Sequence, residues 1–138
     1  MLNICPTALL RLSLRDMEKQ PISFYNASAG SGKTYTLAKK YLTILLSEPF
    51  NNGYRKILAV TFTNKAVSEM KERILSYLES FSQEPIPEDH KEMFNQVITA
   101  CGLTAQQGHQ KAKKVYKKLL HDYSAFDIAT IDSFNHRI

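Results

Sequence analysis

The chain of 138 residues has no tryptophan, two cysteines, five glycines and five prolines. No apolar run approaches the roughly eighteen residues needed to cross a bilayer as a helix, so no membrane span is expected. Cys5 and Cys101 lie far apart and fit no metal-ligand spacing. Both are expected as free thiols in a reducing, cytoplasmic compartment. The N-terminal apolar stretch Thr7-Ala8-Leu9-Leu10 is broken by Arg11 and Arg15. It is too short for a secretory signal, and its positive charge falls on the wrong side. Residues 1–20 therefore read as a poorly ordered leader, with Met17 as an alternative start. Acidic residues number 13 against 18 basic ones, a net charge of +5. That balance permits a polyanionic partner without demanding one. Hydrophobic residues make up 43%, which excludes a disordered chain and suits one globular domain.

The chain then alternates strand and helix signals. Ile22, Phe24 and Tyr25 mark a short strand over Pro21–Asn26. A helix is expected over Lys33–Ser47, with Leu37, Ala38, Tyr41, Leu42, Ile44 and Leu45 at helical spacing. Pro49 ends it, and Asn51-Asn52-Gly53 reads as a turn. Lys56–Phe62 is a second strand whose run Ile57-Leu58-Ala59-Val60 suits a parallel strand covered on both faces. Thr63 or Asn64 can cap a helix over Lys65–Ser80. Glu69 and Arg73, four apart, are expected to pair on its outer face.

Pro85 and Pro87 break the pattern. A helix over His90–Cys101 should turn Met93, Phe94, Val97 and Ile98 inward and stop at Gly102. Thr104 with Gln107 fits a capping box for the next helix. Ala112, Val115, Tyr116, Leu119, Leu120 and Tyr123 form its apolar stripe, and Lys111, Lys113, Lys114, Lys117 and Lys118 its basic one. That basic stripe reads either as a solvated face or as a DNA contact. A last strand, Asp127–Ile131, leads into Asp132-Ser133-Phe134. The order implies an α/β parallel sheet with right-handed crossovers, an incomplete partial domain over residues 21–138, and a helical insertion at about 81–125. His90, His109 and His121 are expected at the surface.

The strongest chemical signal is Ala27-Ser28-Ala29-Gly30-Ser31-Gly32-Lys33-Thr34, between a strand and a helix. It follows the phosphate-loop pattern, except that Ala27 stands where glycine is usual. Gly30 and Gly32 allow a tight backbone whose N–H groups converge on an anion. The following helix adds its positive end. Lys33 can reach the β- and γ-phosphates, and the Thr34 hydroxyl can bind Mg²⁺. The loop itself leaves open which nucleotide is bound.

Three segments line up with this loop. They are Asn26–Thr34; Ile57-Leu58-Ala59-Val60-Thr61-Phe62-Thr63-Asn64-Lys65-Ala66, extended by Glu69-Met70 and Arg73-Ile74; and Thr130-Ile131-Asp132-Ser133-Phe134. Together they resemble the front of superfamily 1 DNA helicases of the UvrD/RecB type, over about Pro21–Ile138. The middle segment is similar to that family's motif Ia. The last is similar to its next motif, with Asp132 where histidine is usual, a variant closer to the RecB and AddA branch.

The resemblance implies a P-loop NTPase (RecA-like) fold and an ATP-dependent DNA helicase that translocates on single-stranded DNA in repair or recombination. It implies ATP and Mg²⁺ as cofactors, held by Gly30, Gly32, Lys33 and Thr34, with Lys33 catalytic. Phe62, Thr63 and Asn64 would lie at the DNA groove, and Thr130 and Ser133 would touch the backbone. A nuclease or helicase subunit is a further implied partner. The competing reading of Phe62 is a core residue, and that of Asp132 a helix cap.

The acidic motif and arginines that hydrolysis requires are not found in this stretch. The chain alone is therefore expected to be inactive, as the N-terminal portion of a longer enzyme. A non-catalytic nucleotide-binding remnant and a small P-loop nucleotide kinase are the alternatives. The kinase is disfavoured, since only Arg55, Arg73 and Arg137 follow the loop.

Overall fold

The computed structural model of the chain describes residues 8–11 and 31–137. The strand expected at Pro21–Asn26 and the first part of the phosphate loop, Ala27–Gly30, lie outside them. The described elements are a strand β1 (Ala8–Arg11), a helix α1 (Ser31–Ser47), a strand β2 (Leu58–Thr61), three helices α2 (Asn64–Phe81), α3 (Glu88–Cys101) and α4 (Ala105–His121), a strand β3 (Ile128–Thr130) and a short helix α5 (Ile131–Arg137). One-turn 3-10 segments at Gly53–Lys56 and Tyr123–Ala125 lead into β2 and β3.

β2 and β3 run parallel, with Ala59 opposite Ile128, Val60 opposite Ala129 and Thr61 opposite Thr130. The crossover between them consists of α2, α3 and α4. The described sheet is mixed rather than wholly parallel, because β1 pairs antiparallel with β2, Ala8 opposite Thr61 and Arg11 opposite Leu58. Part of the stretch expected as a loose leader is thus a strand. The same short apolar run that failed as a secretory signal supplies backbone partners to one edge of β2.

The crossover helices are not a separate appendage. α4 lies along α2, and α3 lies along α1. One hydrophobic core joins Leu42 and Leu45 of α1, Ile74 and Leu78 of α2, Val97 of α3, Val115 and Leu119 of α4, and Ile128 of β3. Local chemistry fixes the helix ends. Gly102 sits at φ +70°, where side chains are strained, and Leu103 N–H reaches back to the Ile98 carbonyl at 2.9 Å. The Thr104 hydroxyl accepts from Gln107 N–H at 3.2 Å, and the Gln107 side chain accepts from Thr104 N–H at 3.0 Å, the expected capping box. Gly108 is where α4 meets α3; a Cβ there would lie 2.4 Å from the Ile98 Cγ2.

Several expectations are corrected. Glu69 pairs with Lys65, on the preceding turn, at 3.8 Å. The apolar stripe of α4 is narrower than its sequence suggests: Ala112, Val115 and Leu119 are buried, whereas Leu120 is half exposed and Tyr123, just beyond the helix, is exposed too. Two of the histidines expected at the surface act as ties. The His109 side chain is 16% exposed, and its Nδ1 bonds the Phe81 carbonyl at 2.9 Å. His90 Nδ1 lies 2.7 Å from the Ser80 hydroxyl, and its ring stacks near Tyr77. β3 ends at Thr130, one residue before the expected end, because α5 starts at Ile131.

Tyr41 is fully buried against Phe126, and its hydroxyl has no hydrogen-bond partner among the described residues. Burial, with Asp127 nearby, drives its pKa far above the usual tyrosine value. An unpaired buried hydroxyl costs roughly 1–3 kcal/mol of desolvation. Tyr41→Phe is therefore expected to hold or raise stability, by up to about 1 kcal/mol in urea unfolding. A clear loss would mean that the hydroxyl is bonded in solution.

Candidate nucleotide loop and strand-end edge

Ser31, Gly32, Lys33 and Thr34 form the first turn of α1. No acidic residue lies in that turn, so no charge within it opposes the positive end of a seventeen-residue helix. Gly32 is exposed, and a Cβ built on it would meet no atom within 4 Å. Internal packing therefore does not require a glycine there. The Thr36 hydroxyl donates to the Gly32 carbonyl at 2.8 Å. Thr34 is half-buried.

The second part of the site is the carboxyl edge of the parallel pair. Because Thr61 and Thr130 are register partners, the residues after each strand emerge side by side. Phe62 is 58% exposed, which rules out the core alternative for its ring. What holds the turn is Thr61, itself buried, whose hydroxyl donates to the Thr63 carbonyl at 3.1 Å. Thr63 caps α2 by accepting from Ala66 N–H at 3.1 Å, which still leaves its own hydroxyl proton free to donate. Asn64 is exposed at the first turn of α2.

On β3 the two expected residues divide their work. Thr130 is 8% exposed, and its hydroxyl accepts from Ser133 N–H at 3.2 Å. The cap of α5 is thus Thr130 rather than Asp132, and the exposed residue of the pair is Ser133. Sequence reasoning missed Thr61. The available signal was a hydroxyl residue two positions before the helix cap Thr63, within reach of that residue's carbonyl.

Among the described residues no cluster of His, Cys, Asp or Glu could hold a metal ion by itself, and no helix is long and apolar enough to cross a membrane. Cys101 is a half-buried free thiol. It lies 3.3 Å from the Thr43 carbonyl, and burial pushes its pKa up.

The described chain is a mixed α/β unit with an anion-ready helix start and a polar edge at its parallel strand ends. It belongs to the UvrD/REP helicase family, whose N-terminal domain matches residues 17–138. It is 31% identical over 116 residues to the RecBCD enzyme subunit RecB of Chlamydia trachomatis, covering 81% of this chain and 10% of that protein. It is 48% identical over 58 residues to RecB of Haemophilus influenzae, covering 38% of this chain and 5% of the relative. With the ATP-dependent DNA helicase UvrD1 of Mycobacterium leprae it shares 48% identity over 48 residues, 35% of this chain and 6% of that one. The chain thus spans about a tenth or less of these relatives' lengths. No solved structure matches it.

Proposed function

We propose that this chain is the ATP-binding, single-stranded-DNA-contacting start of a longer ATP-dependent DNA helicase of the RecB/AddA branch, acting in DNA repair or recombination. In this reading residues 21–138 form part of a P-loop NTPase domain. Ala27, Ser28, Ala29, Gly30, Ser31 and Gly32 wrap the phosphates with backbone N–H groups, and Lys33 neutralises the β- and γ-oxygens. The Thr34 hydroxyl would hold magnesium together with those phosphates. ATP with magnesium supplies the free energy for movement. The chain's own residues bind and orient the triphosphate and present the strand-end edge to DNA. The acidic group that activates water belongs to another segment of the enzyme, and this chain alone turns over negligible ATP. A nuclease or helicase subunit is the proposed protein partner, by analogy with relatives named as RecBCD and helicase/nuclease subunits.

The observation that carries the reading is Phe62. An aromatic ring left mostly in water, on a turn fixed by Thr61 and flanked by the Thr63, Asn64 and Ser133 polar groups, is a stacking platform rather than a packing residue. Stacking contributes about 1–3 kcal/mol per base without reading sequence, and hydroxyls and amides beside it suit phosphate oxygens. Phe62→Ala is expected to weaken binding of a fluorescent oligo-dT roughly tenfold, about 1.4 kcal/mol. Its thermal midpoint should stay close to the parent's, because the ring contributes little to the core. Unchanged affinity for oligo-dT would remove the basis for the proposal.

A further inference from the structure

The basic stripe of α4 is not uniformly solvated. The Lys111 ammonium donates to the Glu48 carbonyl, and the Lys118 ammonium lies 3.3 Å from the Phe50 carbonyl. These contacts draw α4 against the turn between α1 and β2, and a groove of about 600 Å³ opens between the two. Lys114, Lys117 and Lys118 line one wall, and the turn from Asn51 to Arg55 lines the other. Positions 114, 117 and 118 are three and four apart, so they share one helix face.

Charge in the groove is one-sided. Four cations face the single carboxylate of Asp122, and that carboxylate is already bound by Arg55, whose Nε donates to it at 2.7 Å. Tyr54 adds its hydroxyl to the same oxygen at 3.3 Å. Lys114 and Lys117 are exposed and make no ion pair among the described residues. Lys111, three residues before Lys114, has its pKa lowered, by burial first, with Glu48 opposing and Lys114 and Lys118 adding to the shift. Crowded ammonium groups of this kind are relieved by an anion with several charges.

Position separates this groove from the strand-end edge. The Gly53–Lys56 turn feeds the amino end of β2, and Asp122 precedes the turn that feeds the amino end of β3. Phe62 and Ser133 leave the opposite ends of the same strands. Four strand residues span roughly 13 Å, so the two faces are distinct contacts on one molecule.

We propose that the groove between α4 and the α1–β2 turn is a second DNA contact, holding a phosphodiester backbone through Lys114, Lys117 and Lys118. It takes DNA as the ligand from the function proposed above, but it uses residues on the other side of the sheet. It reads charge and not sequence, because lysine ammonium groups on one wall meet phosphates and no base-reading side chain is built in. Either a duplex ahead of the unwound strand or a second stretch of single strand can supply that backbone.

The test is the salt dependence of binding by the 138-residue chain, with a 20-base-pair duplex and a 20-nucleotide single strand measured separately. K114Q/K117Q removes two groove cations. K91Q/K113Q removes two exposed lysines outside the groove, one of them on α4 itself. Losing two phosphate contacts should reduce the slope of log K against log salt by about 1.8 for duplex or about 1.4 for single strand. The DNA that shows the drop is the natural occupant. Phe62→Ala should leave this slope unchanged, so failure of the strand-end edge and failure of the groove read differently. If K114Q/K117Q changes the slope on both DNAs no more than K91Q/K113Q does, the proposal is overturned. Amide shifts of the unmodified chain on titration with the better-binding DNA give an independent readout. Shifts at Asn51–Arg55 and Lys114–Asp122 support the groove, and shifts confined to Phe62–Asn64 refute it.

Discussion

Replacing Lys33 with alanine is expected to weaken binding of ATP with magnesium roughly a hundredfold, with little change in the unfolding midpoint. The expectation starts from charge. A triphosphate carries several negative charges into a concavity of backbone N–H groups, where each donor satisfies one oxygen but neutralises nothing. The ammonium at position 33 is the only cation inside the Ala27–Thr34 loop. A hydrogen bond to a charged partner contributes about 1.5–3 kcal/mol, and the upper end applies where the anion bears more than one charge, so the loss is close to 2.7 kcal/mol. The backbone half of the site survives, because alanine suits the first turn of α1 as well as lysine does. Residual weak binding is therefore expected, not complete loss. Isothermal titration of parent and Lys33→Ala with ATP and magnesium measures the difference. Lys33→Arg sharpens it: the charge is kept, but the bulky planar group replaces a compact one, so affinity should fall between the other two. Equal affinity in parent and alanine variant would place the nucleotide elsewhere and leave the exposed Gly32 without a reason.

The elements that the sequence alone made legible share a physical cause. Helices α1, α2, α3 and α4 each carry a stripe at a 3.6-residue period, and several of their ends depend on single residues: Gly102 at positive φ at the end of α3, Thr104 with Gln107 at the start of α4, Thr63 at the start of α2. Such signals are local, and a one-dimensional reading finds them. The polar turns after β2 and β3 were legible for a related reason, since a resemblance in three short segments names residues whose job is set by their neighbours in the chain. What stayed hidden depends on distant partners. That Ala8–Arg11 is a strand is decided by the edge of β2 some fifty positions later, and no periodicity in four residues announces it. The exposure of Phe62, one residue beyond β2, depends on what packs over that turn and not on the local sequence. Thr130 and Ser133 looked alike as two hydroxyls near DNA, and only three-dimensional placement shows that one caps α5 and the other faces out. The groove beside α4 requires Arg55 and Asp122, 67 positions apart, to meet. In the same way, the basic stripe could not be sorted into docked and free lysines until the α1–β2 turn lay against it.

Phe81→Ala is expected to destabilise the chain by about 3–5 kcal/mol and to do so in a single transition. Phe81 is fully buried at the last turn of α2. Its ring stands edge-on to Phe94 of α3 with centroids 5.1 Å apart, and lies 6.0 Å from the ring of Tyr77. Its carbonyl is held by His109 of α4. One residue thus ties the three helices that carry the chain from β2 to β3. Deleting the ring leaves a cavity that rigid helix backbones on three sides cannot close, and it forfeits aromatic contacts that contribute about 0.5–1.5 kcal/mol beyond area alone. Against a total stability of roughly 5–15 kcal/mol for a domain, such a loss is large enough to lower the thermal midpoint by roughly 10–20 °C. Phe62→Ala removes the same side chain from a mostly exposed position and provides the matched control. The shape of the transition is as informative as its midpoint. If the crossover helices formed an independent insertion, the variant would melt them first and leave the sheet and α1 folded, giving two steps by calorimetry. Because the core runs unbroken from Leu42 of α1 through Phe81 to Leu119 of α4, the strand-end edge and the groove beside α4 should be lost together, at one temperature.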